Sequence, residues 1–173
     1  MEITVSKVEM VDYTRACEIM EDGIKMLKEA GSSQWQDGHP NKELIKENIE
    51  KGKLRGVYVD KRLALIASFS YIPDPSYKEI FSGQWLSKED KYLTIHTLAV
   101  GKDYHGLKLS TYLFRQAEKE AKEHNLISLR ADTYKLNLIM QHIFLSLGFK
   151  ECGIIYLVGQ SGDNDRLAYE KIL

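Results

Sequence analysis

The chain has little cysteine. Cys17 and Cys152 are its only two, in unrelated contexts and without metal-ligand spacing. That excludes a disulfide framework and predicts two reduced, partly buried thiols that behave as small hydrophobes. No apolar run reaches 18 residues, and no charged-then-apolar leader ends in small residues. The expectation is a cytoplasmic protein that neither spans a membrane nor is exported. Net charge is −1, with no basic patch interleaved with aromatics, which argues against nucleic acid and anionic membrane as partners. No glycine-rich loop ending in Lys-Ser or Lys-Thr follows the first strand, which disfavours a nucleotide enzyme of the P-loop kind. There is neither an internal repeat nor a low-complexity tract. What remains, 43% hydrophobic and 28% charged, is ordinary for one soluble domain spanning residues 1–173.

Hydrophobic spacing predicts the order of elements. Ile3, Val5 and Val8 suit an edge strand. From Asp12, a candidate N-cap, the residues Ala16, Ile19, Met20, Ile24 and Leu27 trace an amphipathic helix that stops at Gly31. A turn-rich loop through Trp35 to Pro40 leads to a second helix, with Asn41 as cap and Gly52 as its end. Gly56–Val59 and Leu63–Tyr71, separated by Asp60-Lys61-Arg62, read as a hairpin. Pro73–Asp90 is long, polar and turn-rich, suiting a lid or a short helix with a loop. Ile127–Thr133 is a strand. Tyr134–Asn137 then leads into a helix carrying Ile139, Met140, Ile143, Phe144 and Leu147. Gly148 ends that helix, and strands follow at Cys152–Val158 and Asp165–Leu173.

Residues 92–124 organise the rest. Alternation predicts a strand, with Leu93, Ile95, Thr97 and Ala99 on one side and Tyr92, Thr94, His96, Leu98 and Val100 on the other. After Gly101-Lys102-Asp103 a helix starts near Gly106, with Leu109, Leu113, Ala117 and Ala121 on its inner face. A strand, a tight loop and a helix start can make an anion site from unpaired backbone N–H groups and the helix dipole. An ordinary strand–helix connection has the same parts.

The wording of this stretch adds to its layout. Ala99-Val100, then Tyr104-His105-Gly106-Leu107-Lys108-Leu109-Ser110, and Leu113 beyond, resembles the acetyl-CoA loop of the GNAT superfamily of N-acetyltransferases. In that family a basic residue or Gln opens a six-residue segment whose fourth and sixth residues are usually small. Here the segment is His105–Ser110, and Lys108 and Ser110 depart from the pattern; their N–H groups suit phosphate if the local dihedrals stay helical. The sequence also continues as the family does, with a strand, Asn137, a helix, Gly148-Phe149 and a strand. Gln34-Trp35, Trp85-Leu86, Ile95-His96 and Met140-Gln141 are similar to a bacterial subgroup of small acetyltransferases.

The resemblance implies an α/β (α+β) fold of the GNAT type. Its central mixed, mostly antiparallel sheet has about six to seven strands splayed in the middle, flanked by about four helices. It implies acetyl-CoA as cosubstrate, no metal, and a primary amine of a small molecule or peptide as acceptor, and it leaves a homodimer open. Leu98, Ala99, Val100, His105, Gly106, Leu107, Lys108, Leu109, Ser110, Thr111 and Asn137 become the expected cofactor residues. Backbone N–H around Leu98–Val100 becomes the expected oxyanion donor. As plain chemistry Asn137 is equally a helix cap.

Acetyl transfer needs a base for the amine proton. His96 is the first candidate, with an unperturbed pKa of about 6.5; a structural histidine is the alternative. Asp132 is the second, though strand carboxylates near helix starts more often cap or pair. The family's acid, a Tyr four residues before the glycine, is here Phe144, which has no proton to give. Tyr134 and Tyr156 remain, as does solvent. Trp35 and Trp85 are candidate walls of the acceptor pocket together with His96, or else covers of the core. The competing reading is a non-catalytic acetyl-CoA-binding module, which Phe144, Lys108 and Ser110 favour.

Overall fold

The computed structural model describes residues 1–160 and 162–173. Seven strands form one mixed sheet in the order β1-β2-β3-β4-β5-β7-β6. The chain divides into two compact units, residues 1–69 with 96–116, and residues 70–95 with 117–173.

In the first unit β1 (Ile3–Lys7), β2 (Leu54–Val59) and β3 (Arg62–Ser70) are antiparallel neighbours. Asp60 and Lys61 both take left-handed φ, 46° and 67°, giving a two-residue turn that matches the strand twist. Helix α1 (Tyr13–Glu29) and helix α2 (Lys42–Glu50) cover this part of the sheet. Asn41 caps α2 by accepting from Leu44 N–H at 2.9 Å. Asp12 precedes α1 but makes no cap, because its carboxylate instead accepts from the Tyr58 hydroxyl at 2.8 Å. Ala16, Ile19 and Met20 from α1, and Ile45 and Ile49 from α2, pack on Leu54, Leu63, Ile66 and Ala99.

The second unit holds β5 (Ser128–Thr133), helix α4 (Leu138–Ser146), β6 (Lys150–Tyr156) and β7 (Asp165–Ile172). Strand β7 pairs antiparallel with both β5 and β6, so β6 lies at the sheet edge. Its core contains Arg130, 2% exposed. The guanidinium lies between the rings of Trp85 and Tyr92, 4.2 and 4.1 Å from their centroids. Arg130 Nε donates to Glu170 at 3.0 Å, and Ser128 Oγ and Leu86 N–H each donate to the same carboxylate at 2.6 Å. A buried charge is tolerable only when paired and hydrogen-bonded in this way.

Two elements thread both units. Strand β4 (Tyr92–Val100) is parallel to β5 only over Tyr92–Thr94, and helix α3 (Leu109–Glu123) begins in the first unit and ends in the second. The simple alternation expected along β4 fails at Thr97, whose φ is 55°. A β-branched residue in the left-handed region is a marked outlier, and it ends the two-residue register that the sequence pattern implies.

Candidate active site

The expected cofactor residues of β4 and the following loop all belong to the first unit. Gly101 N–H donates to the Ala64 carbonyl at 2.8 Å, and Lys102 N–H to Asp22 at 3.0 Å. These bonds tie the end of β4 to β3 and α1. Lys102–Tyr104 form one 3-10 turn, His105 is extended, and Gly106 takes φ 83° with open space where a Cβ would stand. Leu107 and Lys108 are exposed, and α3 then starts at Leu109, not near Gly106.

Lys108 overturns the expectation of helical dihedrals: its φ is 53°. Gly is the usual residue for that conformation, since a Cβ there costs about 1 kcal/mol or more. Lys108 adopts it regardless, and Thr111 N–H donates back to its carbonyl at 3.1 Å. Leu109 and Leu113 are buried and anchor the start of α3, and the loop residues 105–108 before them are exposed. Ser110 and Thr111 are half-buried in that first turn. An exposed loop with two left-handed residues, opening a 15-residue helix, fits a phosphate-bearing ligand.

His96 is half-buried on β4, its carbonyl accepting from Ser68 Oγ at 3.2 Å, and it immediately precedes the outlier Thr97. Leu98 and Val100 are half-buried and Ala99 is in the core. Trp35 has a structural occupation: its φ is 64°, and its ring packs on the core beside Gly23, where an added Cβ would come within 3.0 Å.

The remaining candidates lie in the second unit. Asp132 accepts from the Tyr77 hydroxyl at 2.6 Å. Burial, reinforced by the Asp132 charge and that hydrogen bond, pushes the Tyr77 hydroxyl well above its ordinary pKa, so it stays a donor. Trp85 is half-buried. Its indole N–H donates to the Tyr77 carbonyl at 2.9 Å, and its ring covers Arg130. Asn137 caps α4 by accepting from Met140 N–H at 3.1 Å. Phe144 is buried against Phe149 and Tyr169. Tyr134 donates to Asp163 at 2.6 Å. Tyr156 is 47% exposed at the end of β6, its ring edge-on to Phe81 at 5.3 Å. Among the described residues no cluster of His, Cys, Asp and Glu is fit to hold a metal, and no helix is long and apolar enough to cross a membrane.

Thr97 and Tyr77 were not foreseen. Nothing in a β-branched residue within an alternating strand signals a left-handed break. Tyr77 offered one weak signal, an aromatic ring inside a polar, turn-rich segment.

With this geometry in place, the sequence matches the Acetyltransferase (GNAT) family over residues 20–149. The chain belongs to that family. It is 31% identical to a GNAT-family acetyltransferase from Streptococcus agalactiae, whose structure superposes with a TM-score of 0.88 over 99% of this chain and 95% of that one. Two more distant structures share the fold. A PaiA N-acetyltransferase from Thermoplasma acidophilum in complex with coenzyme A has 17% identity and a TM-score of 0.74, with all of both chains covered. The ribosomal-protein-S18-alanine N-acetyltransferase from Escherichia coli has 16% identity and a TM-score of 0.67, covering 99% of this chain and 94% of that one. No curated protein matches the sequence.

Proposed function

We propose that residues 1–173 act as a single cytoplasmic N-acetyltransferase domain. It moves the acetyl group of acetyl-CoA to a primary amine of a small molecule or peptide by direct attack in a ternary complex. The observation that carries this reading is the left-handed pair Gly106 and Lys108 opening α3 at the end of β4. A tight turn into a helix start supports a phosphate site, because backbone N–H groups and the positive helix end favour an anion there. The coenzyme A complex of the Thermoplasma relative and the alanine acceptor of the E. coli relative support the cosubstrate and the amine class.

Bound acetyl-CoA supplies the activated acyl group as a thioester. The loop residues 105–111 hold its phosphates, Lys108 adds a charge-assisted contact, and Asn137 lies on the cofactor side. His96 takes the amine proton, with Asp132 as the second candidate, and Leu98–Val100 N–H groups stabilise the developing oxyanion. Tyr156 is the proposed acid: among the described residues its hydroxyl engages no partner, whereas Tyr134 is bonded to Asp163. Solvent can replace it, since a thiol of pKa about 8.5 leaves tolerably without help. Trp35, Trp85 and His96 are the proposed acceptor-binding residues.

The test is calorimetric titration with acetyl-CoA against ATP as control, followed by thiol release across a panel of amines. Micromolar binding of acetyl-CoA alone and thiol release with at least one amine are expected. Absence of binding overturns the reading. Binding with no thiol release across amines, peptides and polyamines selects the non-catalytic module, which buried Phe144 in the acid position would then explain.

A further inference from the structure

Arg166 is the second residue of β7 and only 6% exposed. A buried guanidinium normally takes a carboxylate as partner. Arg166 takes backbone instead. Its Nη1 donates to two carbonyls, Asp163 at 3.0 Å and Asp165 at 2.8 Å. The guanidinium carbon lies over the Tyr134 ring, 5.2 Å from the centroid. Both neighbouring carboxylates are engaged elsewhere: Asp163 accepts from the Tyr134 hydroxyl at 2.6 Å, and Asp165 pairs with Lys135 at 3.6 Å.

The other two nitrogens, Nε and Nη2, donate to no described residue. Among the described residues, the buried side-chain nitrogens and oxygens without a partner belong to Arg15, Thr94 and Thr133, so Nε and Nη2 of Arg166 reach the surface. Together they form the guanidinium edge that grips a carboxylate by two parallel N–H···O bonds. The ring beneath it and the two carbonyls at Nη1 hold that edge in place, so a ligand there costs little further ordering. Strand register adds an anion. Asp132 stands opposite Ala168, which shares a face of β7 with Arg166. Asp132 and Arg166 are therefore diagonal neighbours on one face of the sheet, about 7–8 Å apart.

We propose that the Nε–Nη2 edge of Arg166 receives a carboxylate of the acetyl acceptor, so that the acceptor is a free amino acid rather than a polyamine or a simple amine. This rests on the acetyl-transfer reading and narrows its substrate class. An arginine and an aspartate on one face complement a zwitterion, whose ammonium and carboxylate carry opposite charges. Carboxylate fits better than phosphate, because Asp163 and Asp165 keep the surroundings acidic and repel a second negative charge. Water on the same edge accepts a hydrogen bond but brings no charge.

Two measurements test it, with the common L-amino acids as probes, each beside its carboxamide. The first follows the side-chain Nε–H resonance of Arg166 by NMR in the full chain without cofactor, identified by its loss in Arg166→Lys. At least one amino acid should move it, and the matching carboxamide should not. The second is thiol release with acetyl-CoA, in which that amino acid should have a KM about tenfold or more below its carboxamide, as a charge-assisted pair gives. In Arg166→Met the ratio of the two KM values should fall to near one, whereas a purely structural arginine would leave the ratio as it was. Three results overturn the proposal: no amino acid moves the resonance, acid and carboxamide move it alike, or the KM ratio survives in Arg166→Met. A shift caused by acetyl-CoA and by no amino acid belongs to the first of these. If Arg166→Met fails to fold, the wild-type resonance and KM ratio still decide. If acetyl-CoA does not bind at all, acetyl transfer falls, and the resonance decides the carboxylate site by itself.

Discussion

Tyr77 and Asp132 are 55 residues apart in sequence and 2.6 Å apart in the structure, with the buried hydroxyl donating to the carboxylate. Asp132 therefore already holds a structural bond, which favours His96 as the base. Asp132→Asn retains an acceptor for Tyr77 and should leave acetyl transfer near the wild-type rate. His96→Ala should lower kcat about a hundredfold or more. Tyr77→Phe should cost about 1–3 kcal/mol in urea unfolding, as loss of a bond to a charged group does. A collapse of kcat in Asp132→Asn at unchanged stability would move the base to Asp132.

Lys108 stands where a left-handed backbone favours glycine. Lys108→Gly relieves the Cβ clash but frees the unfolded chain, so the two effects nearly cancel and stability should change by less than about 1 kcal/mol. Lys108→Val, β-branched in that conformation, should destabilise by about 1–2 kcal/mol. If the Lys108 ammonium contacts phosphate, both variants should weaken acetyl-CoA, and Lys108→Arg should not. Urea melts and calorimetry on the same samples separate the two effects.

Burial works to raise the Glu170 carboxyl, but the hydrogen bond from Ser128 and the charge and hydrogen bond of Arg130 outweigh it. They hold the carboxyl below the ordinary carboxylate range. A lowered folded-state pKa means that the unfolded chain binds the extra proton. The stabilisation is complete above the unfolded value of about 4.3 and disappears as pH falls through the folded one. The urea midpoint should therefore drop on acidification below about pH 4.5, and less steeply in Glu170→Gln. Arg130→Met leaves the carboxylate buried without its cation and should cost about 3–5 kcal/mol at pH 7. An unchanged midpoint in that variant would refute the account.

Gly83 and Gly153 let two backbones meet. A Cβ on Gly83 would lie 1.9 Å from the Cys152 carbonyl oxygen, and Gly153 itself takes φ 151°. Gly83→Ala must push residues 81–83 away from β6 and should cost about 1–3 kcal/mol. Exchange at the Phe81 and Ile154 amides should accelerate together, because their mutual bonds break together. Acceleration at neither site would show that residues 81–83 shift without breaking the Phe81–Ile154 bonds.

Much of the fold was readable because its causes are local. Asn41 and Asn137 cap α2 and α4 as their positions before apolar runs suggested. The hairpin at Asp60-Lys61 and the stops at Gly31, Gly52 and Gly148 follow from turn chemistry within a few residues. Asp12 misled because a distant hydroxyl, Tyr58, competed for its carboxylate. The stacking of Trp85 on Arg130 was not legible, because a polar, turn-rich segment carries no sign that Arg130 lies beneath it.

By itself the sequence determined the order and kind of the elements, the loop wording that marks the family, and the candidate residues along β4. Propensity, periodicity and capping act between neighbours, so they are written in neighbouring letters. Tertiary structure alone decided the left-handed break at Thr97, the enclosure of Arg130 by two rings and Glu170, the Tyr77–Asp132 pair, and the bridge between Phe81 and Ile154 on the edge of β6. The enclosure of Arg130 and the Tyr77–Asp132 pair depend on partners tens of residues away. The chain adopts them because pairing a buried charge and placing an edge backbone are set by the whole packed unit, not by any local preference.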